Sequence, residues 1–201
     1  MTPPLRPTLV LASGSPYRRE LLGRLRLPFE VDIPQVDESA TNDESPATTA
    51  LRLSVLKAQT VAARHPGAVV IGSDQVAECE GRPFGKPGSH EAAVVQLRML
   101  RGRVVRFHSG LCVIGPHGGA SKTQSRVIPT TVHFRQVGDD AIERYLRLDT
   151  PYDCAGSAKA EGLGIALLDR VESGDPTALI GLPLIALVSM LAAIDYPLLA
   201  A

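Results

Sequence analysis

The side chains able to do chemistry gather around one carboxylate and a few cations. Asp74 stands in Ser73-Asp74-Gln75, directly after the apolar run Ala68 to Gly72. That run reads as a buried central strand ending at the three polar residues. A carboxylate just past a strand can ligate a divalent cation or take a proton from water. The competing reading is an ordinary aspartate turn or helix cap. Upstream, Leu9 to Ala12 reads as a second buried strand, broken by Ser13-Gly14-Ser15 before Pro16 opens a helix. Ser15 suits the N-cap and Pro16 the first helical position. A helix start favours acidic residues in its first turn, yet this one carries Arg18 and Arg19. The inversion makes sense if an anion sits there. Backbone N–H groups, the Ser13 and Ser15 hydroxyls and two guanidiniums would hold it. The plainer alternative is a surface helix that begins with arginines.

Lysine is scarce. The chain has 17 Arg but only four Lys, at 57, 86, 122 and 159. Where arginine is the default cation, a lysine is more readily a chemical choice, because its compact charge cannot be copied by a guanidinium. Lys86 lies in the stiff loop Phe84-Gly85-Lys86-Pro87-Gly88, and Lys57 lies on a helix one residue before apolar Ala58. Lys122 reads as incidental. Arg18, Arg19, Lys57, Lys86 and Asp74 together have the composition of a site for a triphosphate and its metal. Glu38, beside Asp37 in an acidic loop, either adds a second metal carboxylate or solvates the loop.

Composition narrows the classes. The net charge is zero, so no general affinity for nucleic acid or an anionic membrane is expected. No apolar run approaches the roughly 20 residues of a membrane span, and the first residues carry no signal-peptide pattern. Three widely spaced cysteines fit a reducing cytoplasm rather than a disulfide framework. Zinc patterns, a serine-hydrolase elbow and a Walker loop are missing; Gly85-Lys86 is followed by proline. The sequence admits a homodimer without pointing to one.

The elements that must position these residues follow from periodicity. Phe29 to Ile33 is a short apolar segment, followed by a polar loop from Gln35 to Ser45. Ser45-Pro46 opens a helix whose apolar residues recur up to Arg64. Glu80-Gly81 marks a turn. Ser89 caps a helix from about His90 to Leu100, closed by Gly102. Val105, Phe107, Ser109, Leu111 and Val113 alternate as a strand, Pro116-His117-Gly118-Gly119 turns the chain, and Val127 to Phe134 returns. A helix over Asp139 to Arg147, a strand over Gly162 to Leu168 and a helix over Leu182 to Ile194 complete the chain. The expected architecture is an α/β mixed sheet in one domain spanning residues 1–201.

The ordered pieces LASGSPYRRELL (11–22), VDES (36–39), Lys57-Ala58, IGSDQV (71–76), FGKP (84–87), FHSGL (107–111), CAGSAKAEGLG (154–164) and GLPL (181–184) resemble the Maf family of nucleotide pyrophosphatases over nearly the whole chain. Tyr17 after Ser-Pro, Gln75 after the aspartate and Glu161 before Gly162 resemble the branch acting on 7-methyl-GTP. The dTTP/UTP branch is expected to carry Arg, Thr and Gln at those places. The resemblance implies an elongated fold with a mixed central sheet flanked by helices, in two lobes with a central cleft. It also implies release of pyrophosphate from a nucleoside triphosphate. Asp74 becomes the proton acceptor, Tyr17, Gln75 and Glu161 choose the base, and a divalent metal, Mg or Mn, is implied. The chain departs from the pattern at Tyr17, where tryptophan is expected, at Arg101-Gly102, where Ser-Gly is common, and at Gly14, where Thr or Ser is usual. Two alternatives stay open: a dTTP/UTP pyrophosphatase, or a nucleotide-sensing regulator of septum formation without turnover.

Overall fold

Leu9–Ala12 forms strand β1 because all four residues find apolar cover on both faces of a sheet. Ser15 then caps helix α1 (Pro16–Gly23), its hydroxyl accepting from the Arg18 N–H at 3.4 Å. The computed structural model describes residues 6–39, 41, 44–118, 122–196 and 198–199. The chain start up to Leu5, positions 40, 42 and 43 of the acidic loop and Gly119 of the expected turn lie outside them.

The remaining elements are β2 (Glu30–Val31), α2 (Pro46–Ala62), β3 (Val69–Cys79), β4 (Arg82–Phe84), α3 (His90–Leu100), β5 (Val104–Ile114), β6 (Thr123–Phe134), α4 (Asp139–Asp149), β7 (Leu168–Ser173) and α5 (Leu184–Ala192). Six strands run in the order β2-β1-β3-β5-β6-β7, and β4 also pairs with β3. β1 is parallel to β2 and β3, and the other pairings are antiparallel, so the sheet is mixed as expected.

Two expectations fail. β3 does not stop at Ser73; it runs on to Cys79, with Asp74 opposite Gly110 of β5. Turn-prone polar residues persist in this strand because each side chain finds a tertiary partner. The expected strand over Gly162 to Leu168 is a 3₁₀ turn, Leu163–Leu167, with β7 starting only at Leu168. The Gly164 N–H donates to Asp149 Oδ2, and a Cβ at Gly164 would sit 2.5 Å from the Lys159 carbonyl. That close approach folds the backbone away from the sheet. α5 starts at Leu184 rather than Leu182, with Pro183 at its N-cap.

Alternation along β3 and β5 builds two cores on one face of the sheet. Val69, Ile71, Leu111 and Val113 pack with Leu21 and Leu22 of α1 and Leu187 and Met190 of α5. Further along the same strands, Ala77, Cys79, Val105 and Phe107 pack with Leu97 of α3 and Ile142 of α4. Between these two lobes, Ser73, Gln75 and Ser109 form a polar waist on that face. α2 covers the opposite face through Ala58 and Val61. It lies very close there. A Cβ at Gly72 would fall 2.2 Å from the Ser54 carbonyl, and one at Gly110 would fall 2.1 Å from the Ala50 carbonyl.

Candidate active site

The site begins as a gap in the sheet. β1 pairs with β3 only as far as Ala12 opposite Gly72, and β4 takes over at Phe84 opposite Ala77. Between them, Ser73 to Val76 have no strand on one side. A cleft of about 740 Å³ opens there. That is within the usual range for small-molecule sites, roughly 300–1,000 Å³. The loop after β1, the Lys86 loop after β4 and the segment from Asp153 to Glu161 frame it.

Asp74 lies on the α2 face of β3, where the two glycines let the helix settle onto the sheet. Lys57 projects from α2, and its ammonium donates to Asp74 Oδ1 at 2.6 Å and to Glu38 Oε1 at 2.7 Å. The Lys57 and Asp74 side chains are 7% and 10% exposed, whereas Glu38 is 60% exposed at the cleft rim. Burial opposes ionisation of Glu38, but the Lys57 hydrogen bond, with Lys86 and Arg18 nearby, outweighs it and holds the carboxyl below its usual range. Arg52 ties down the loop carrying Glu38. It donates to Glu44 through Nε and Nη2, and to the Ser39 carbonyl.

Arg18 points its guanidinium inward. Nε donates to the Gly181 carbonyl at 2.9 Å and Nη1 to Ser13 Oγ at 3.2 Å. Burial lowers its pKa, while Asp74 and Glu38 pull it back up. The remaining guanidinium N–H groups have no partner among the described residues. Lys86 lines the cleft from the other side.

The far end has different chemistry. The Tyr17 hydroxyl donates to Asp153 Oδ1 at 3.2 Å and accepts from the Cys154 thiol at 3.7 Å. Burial first, then Cys154 and Asp153, push the phenol pKa up, so it stays neutral. The Lys159 ammonium stands over the Tyr17 ring, 5.6 Å from its centre. The ring is thus already a cation platform. Glu161 lines the same cleft, its carboxyl raised by burial and by Asp149 and Glu20, with Lys159 opposing. Gln75 Nε2 donates to Ser109 Oγ and the carbonyls of Ala178 and Leu179. Ser109 spends its own proton on Ala178, so all three partners require a donor, which fixes the amide's orientation.

A family model described as Maf-like protein matches residues 8–194. The chain belongs to the Maf family. A Cupriavidus metallidurans protein named 7-methyl-GTP pyrophosphatase is 58% identical over 197 residues, 98% of each chain. Proteins of that name from Ralstonia nicotianae and Thiobacillus denitrificans are also 58% identical. The first match covers 98% of this chain and 100% of the relative; the second covers 92% of each. Among solved structures, the Staphylococcus aureus Ham1 protein aligns with a TM-score of 0.47 at 17% identity, covering 64% of this chain and 72% of that one. A Coxiella burnetii HAM1 protein gives 0.43 at 17%, covering 65% and 74%.

The structure brings together Ser13, Ser15, Tyr17, Arg18, Glu38, Lys57, Asp74, Gln75, Lys86 and Glu161, the residues the Maf resemblance and the charge pattern single out. It does not bring Arg19, which is exposed on α1 and is not among the cleft-lining residues. Each residue turns about 100° around the helix, and the step after Tyr17 and Arg18 carries Arg19 onto the exposed side of α1. The anion-holding N–H groups are also partly spent: Ser15 N–H goes to Ser13 Oγ and Arg18 N–H to Ser15 Oγ. Asp175 was missed. Buried, it accepts from the N–H groups of Thr177, Ile185 and Ala186, capping α5 and fixing the loop that carries Gly181. The legible signal was Ser-Gly-Asp-Pro-Thr, an Asx-turn composition.

Proposed function

We propose that this protein is a nucleoside-triphosphate pyrophosphatase that converts 7-methyl-GTP to the monophosphate and pyrophosphate. The observation that supports it best is the cleft itself. Asp74 and the cations Lys57, Arg18 and Lys86 meet at one end, and the Tyr17 ring and Glu161 carboxylate meet at the other. The name shared by the close relatives points the same way. In this reading the protein is cytoplasmic and the chain acts as one domain.

Arg18 and Lys86 hold the phosphates by charge-assisted hydrogen bonds. Lys57 orients Asp74 by occupying Oδ1, and Oδ2 has no partner among the described residues. Asp74 takes a proton from water as its oxygen bonds to the α-phosphorus. The bridge to the β-phosphorus breaks, and pyrophosphate leaves with the bridging oxygen. The cations around it offset its charge.

Asp74 and Glu38 fit a divalent cation of the Mg type. Both reach the same lysine nitrogen, so their carboxylates converge. Among the described residues no group of three His, Cys, Asp or Glu could hold a metal. Mg²⁺ needs no such cage, because one or two carboxylates with substrate phosphates suffice. When bound, the cation would neutralise phosphate charge and make the α-phosphorus more electrophilic.

A screen for pyrophosphate release over normal and methylated nucleotides tests the reading. Preference for 7-methyl-GTP supports it. Preference for dTTP or UTP would move the protein to the other branch. Binding without turnover would favour the regulatory alternative.

A further inference from the structure

Two of the segments framing the cleft meet opposite ends of the proposed substrate. The Lys86 loop meets the phosphates, and the stretch from Cys154 to Glu161 meets the base. One side chain on α3 is bonded to both. Gln96 Nε2 donates to the Gly85 carbonyl at 3.1 Å, and Gln96 Oε1 accepts from Ser157 Oγ at 2.7 Å. The amide orientation is forced, since a carbonyl can only accept and the serine hydroxyl donates. The two segments also touch directly, through Gly156 N–H to Gly85 O at 3.4 Å and Gly88 N–H to Tyr152 O at 3.0 Å. Both are single backbone contacts, and the first is long.

The held segment is under backbone strain. Gly156 and Ser157 have φ of 68° and 57°, and for a serine that left-handed conformation is unfavourable. Ser157 keeps it because it is pinned on both sides. Its hydroxyl is held by Gln96, and its carbonyl accepts from Tyr145 Oη at 3.2 Å. The same Tyr145 oxygen accepts from the Lys159 N–H at 2.9 Å. The path therefore runs from Gln96 through Ser157 and Tyr145 to the backbone two residues before Glu161.

We propose that Gln96 is a positioning residue, setting the distance between the phosphate loop and the base-recognition segment so that both ends of one nucleotide are gripped at once. This rests on the assignment of Lys86 to phosphate and Glu161 to the base. The sequence offers no hint of it, because a glutamine on the polar side of an amphipathic helix reads as surface.

Gln96→Leu removes both bonds with little change in volume or helix propensity. Two lost hydrogen bonds should raise KM about tenfold. The ratio of kcat/KM for 7-methyl-GTP over GTP should fall severalfold, with kcat for the better substrate nearly unchanged. Gln96→Glu keeps the acceptor for Ser157 but turns a carboxylate toward the Gly85 carbonyl. It should raise KM for both nucleotides while leaving their ratio near the wild-type value. Ser157→Ala should do the reverse, eroding the ratio with a smaller change in KM. A residue that only stabilises the fold would lower Tm and the active fraction for both nucleotides equally. Unchanged KM and ratio in Gln96→Leu, or equal losses in all three variants, would overturn the proposal. If wild type fails to prefer 7-methyl-GTP, the base assignment fails by itself. The positioning role is then read from whichever nucleotide pair wild type does separate.

Discussion

At the scale of single residues, the site turns on one ammonium shared by two carboxylates. Lys57 pairs with Asp74 in a nearly buried position, where an unpaired charge would be costly. Asp74→Asn keeps the shape and a hydrogen-bonding oxygen but removes the proton acceptor. Turnover should fall by about 10²- to 10⁴-fold, with the circular dichroism spectrum unchanged. Near-normal activity in that variant would displace Asp74 from its role. Lys57→Met is a different experiment. It strands Asp74 without its partner, so it should cost up to about 3 kcal/mol in urea unfolding as well as activity. Glu38→Gln, exposed at the rim, should cost far less stability. Lys86→Ala should raise KM for the triphosphate, and Lys122→Ala, whose ammonium donates to the Pro116 carbonyl at 3.4 Å and does not line the cleft, should not. That Lys57 and Lys86 belong to the cleft was legible because lysine is scarce here. Arg19 was misread because residue type was visible in the sequence but the direction of its side chain was not.

At the scale of elements, the decisive contact is α2 against β3 and β5. Gly72 and Gly110 permit it, and no periodicity argument could assign them that task. Gly110→Ala puts a methyl group against the Ala50 carbonyl, so helix or strand must shift by more than an ångström. Thermal unfolding should drop by several degrees and turnover should fall with it, because Lys57 rides on the same helix. Gly67→Ala, where a Cβ meets nothing within 4 Å, should show neither loss and is the control. Helix starts were legible from Ser-Pro and Ser-His pairs, since capping is local chemistry. The length of β3 was not. Ser73, Asp74 and Gln75 are held in a strand by the Gly181 and Ala178 carbonyls and by Lys57, partners about 17 to 108 residues away in sequence. The loop tether has its own signature. Arg52 hydrogen bonds, against some desolvation, depress the Glu44 pKa to about 2 from an ordinary 4.5. A depressed carboxyl stabilises the fold above its unfolded pKa, and that contribution is lost as pH falls through the folded value. The difference in Tm between wild type and Glu44→Gln should therefore be full near neutrality and shrink between 4.5 and about 2.

At the scale of the whole molecule, two apolar cores share two long strands, and the cleft opens at the polar waist between them. IGSDQV and FHSGL stood out in the sequence only as pieces of the family resemblance; that they form a waist follows from β3 running through Asp74, and the gap beside it from β1 stopping short of β4. On the proposed function, this layout separates catalysis from base choice in space. Lys57 and Asp74 sit on the α2 side, while Tyr17 and Glu161 sit on walls contributed by α1 and the 153–161 segment. A 7-methylguanine base carries delocalised positive charge, so it gains from an aromatic face, by about 0.5 to 2 kcal/mol, in a way that neutral guanine does not. The Lys159 ammonium already lies over the Tyr17 ring, so a cationic base must take the other face or displace it. Glu161→Ala should therefore lower kcat/KM for 7-methyl-GTP more than for GTP, with kcat little changed. The pH dependence of the wild-type ratio gives an independent test. Burial, Asp149 and Glu20 raise the Glu161 pKa, so its charge is present at high pH and is lost earlier than that of an ordinary carboxylate as pH falls. Any protonation step shared by the two nucleotides cancels in the ratio. The preference for 7-methyl-GTP should thus weaken as pH is lowered from neutral in wild type, earlier than titration of an ordinary carboxylate would cause, and stay flat over that range in Glu161→Ala. A ratio that is equally flat in both proteins would remove Glu161 from base recognition and leave the pyrophosphatase reading standing.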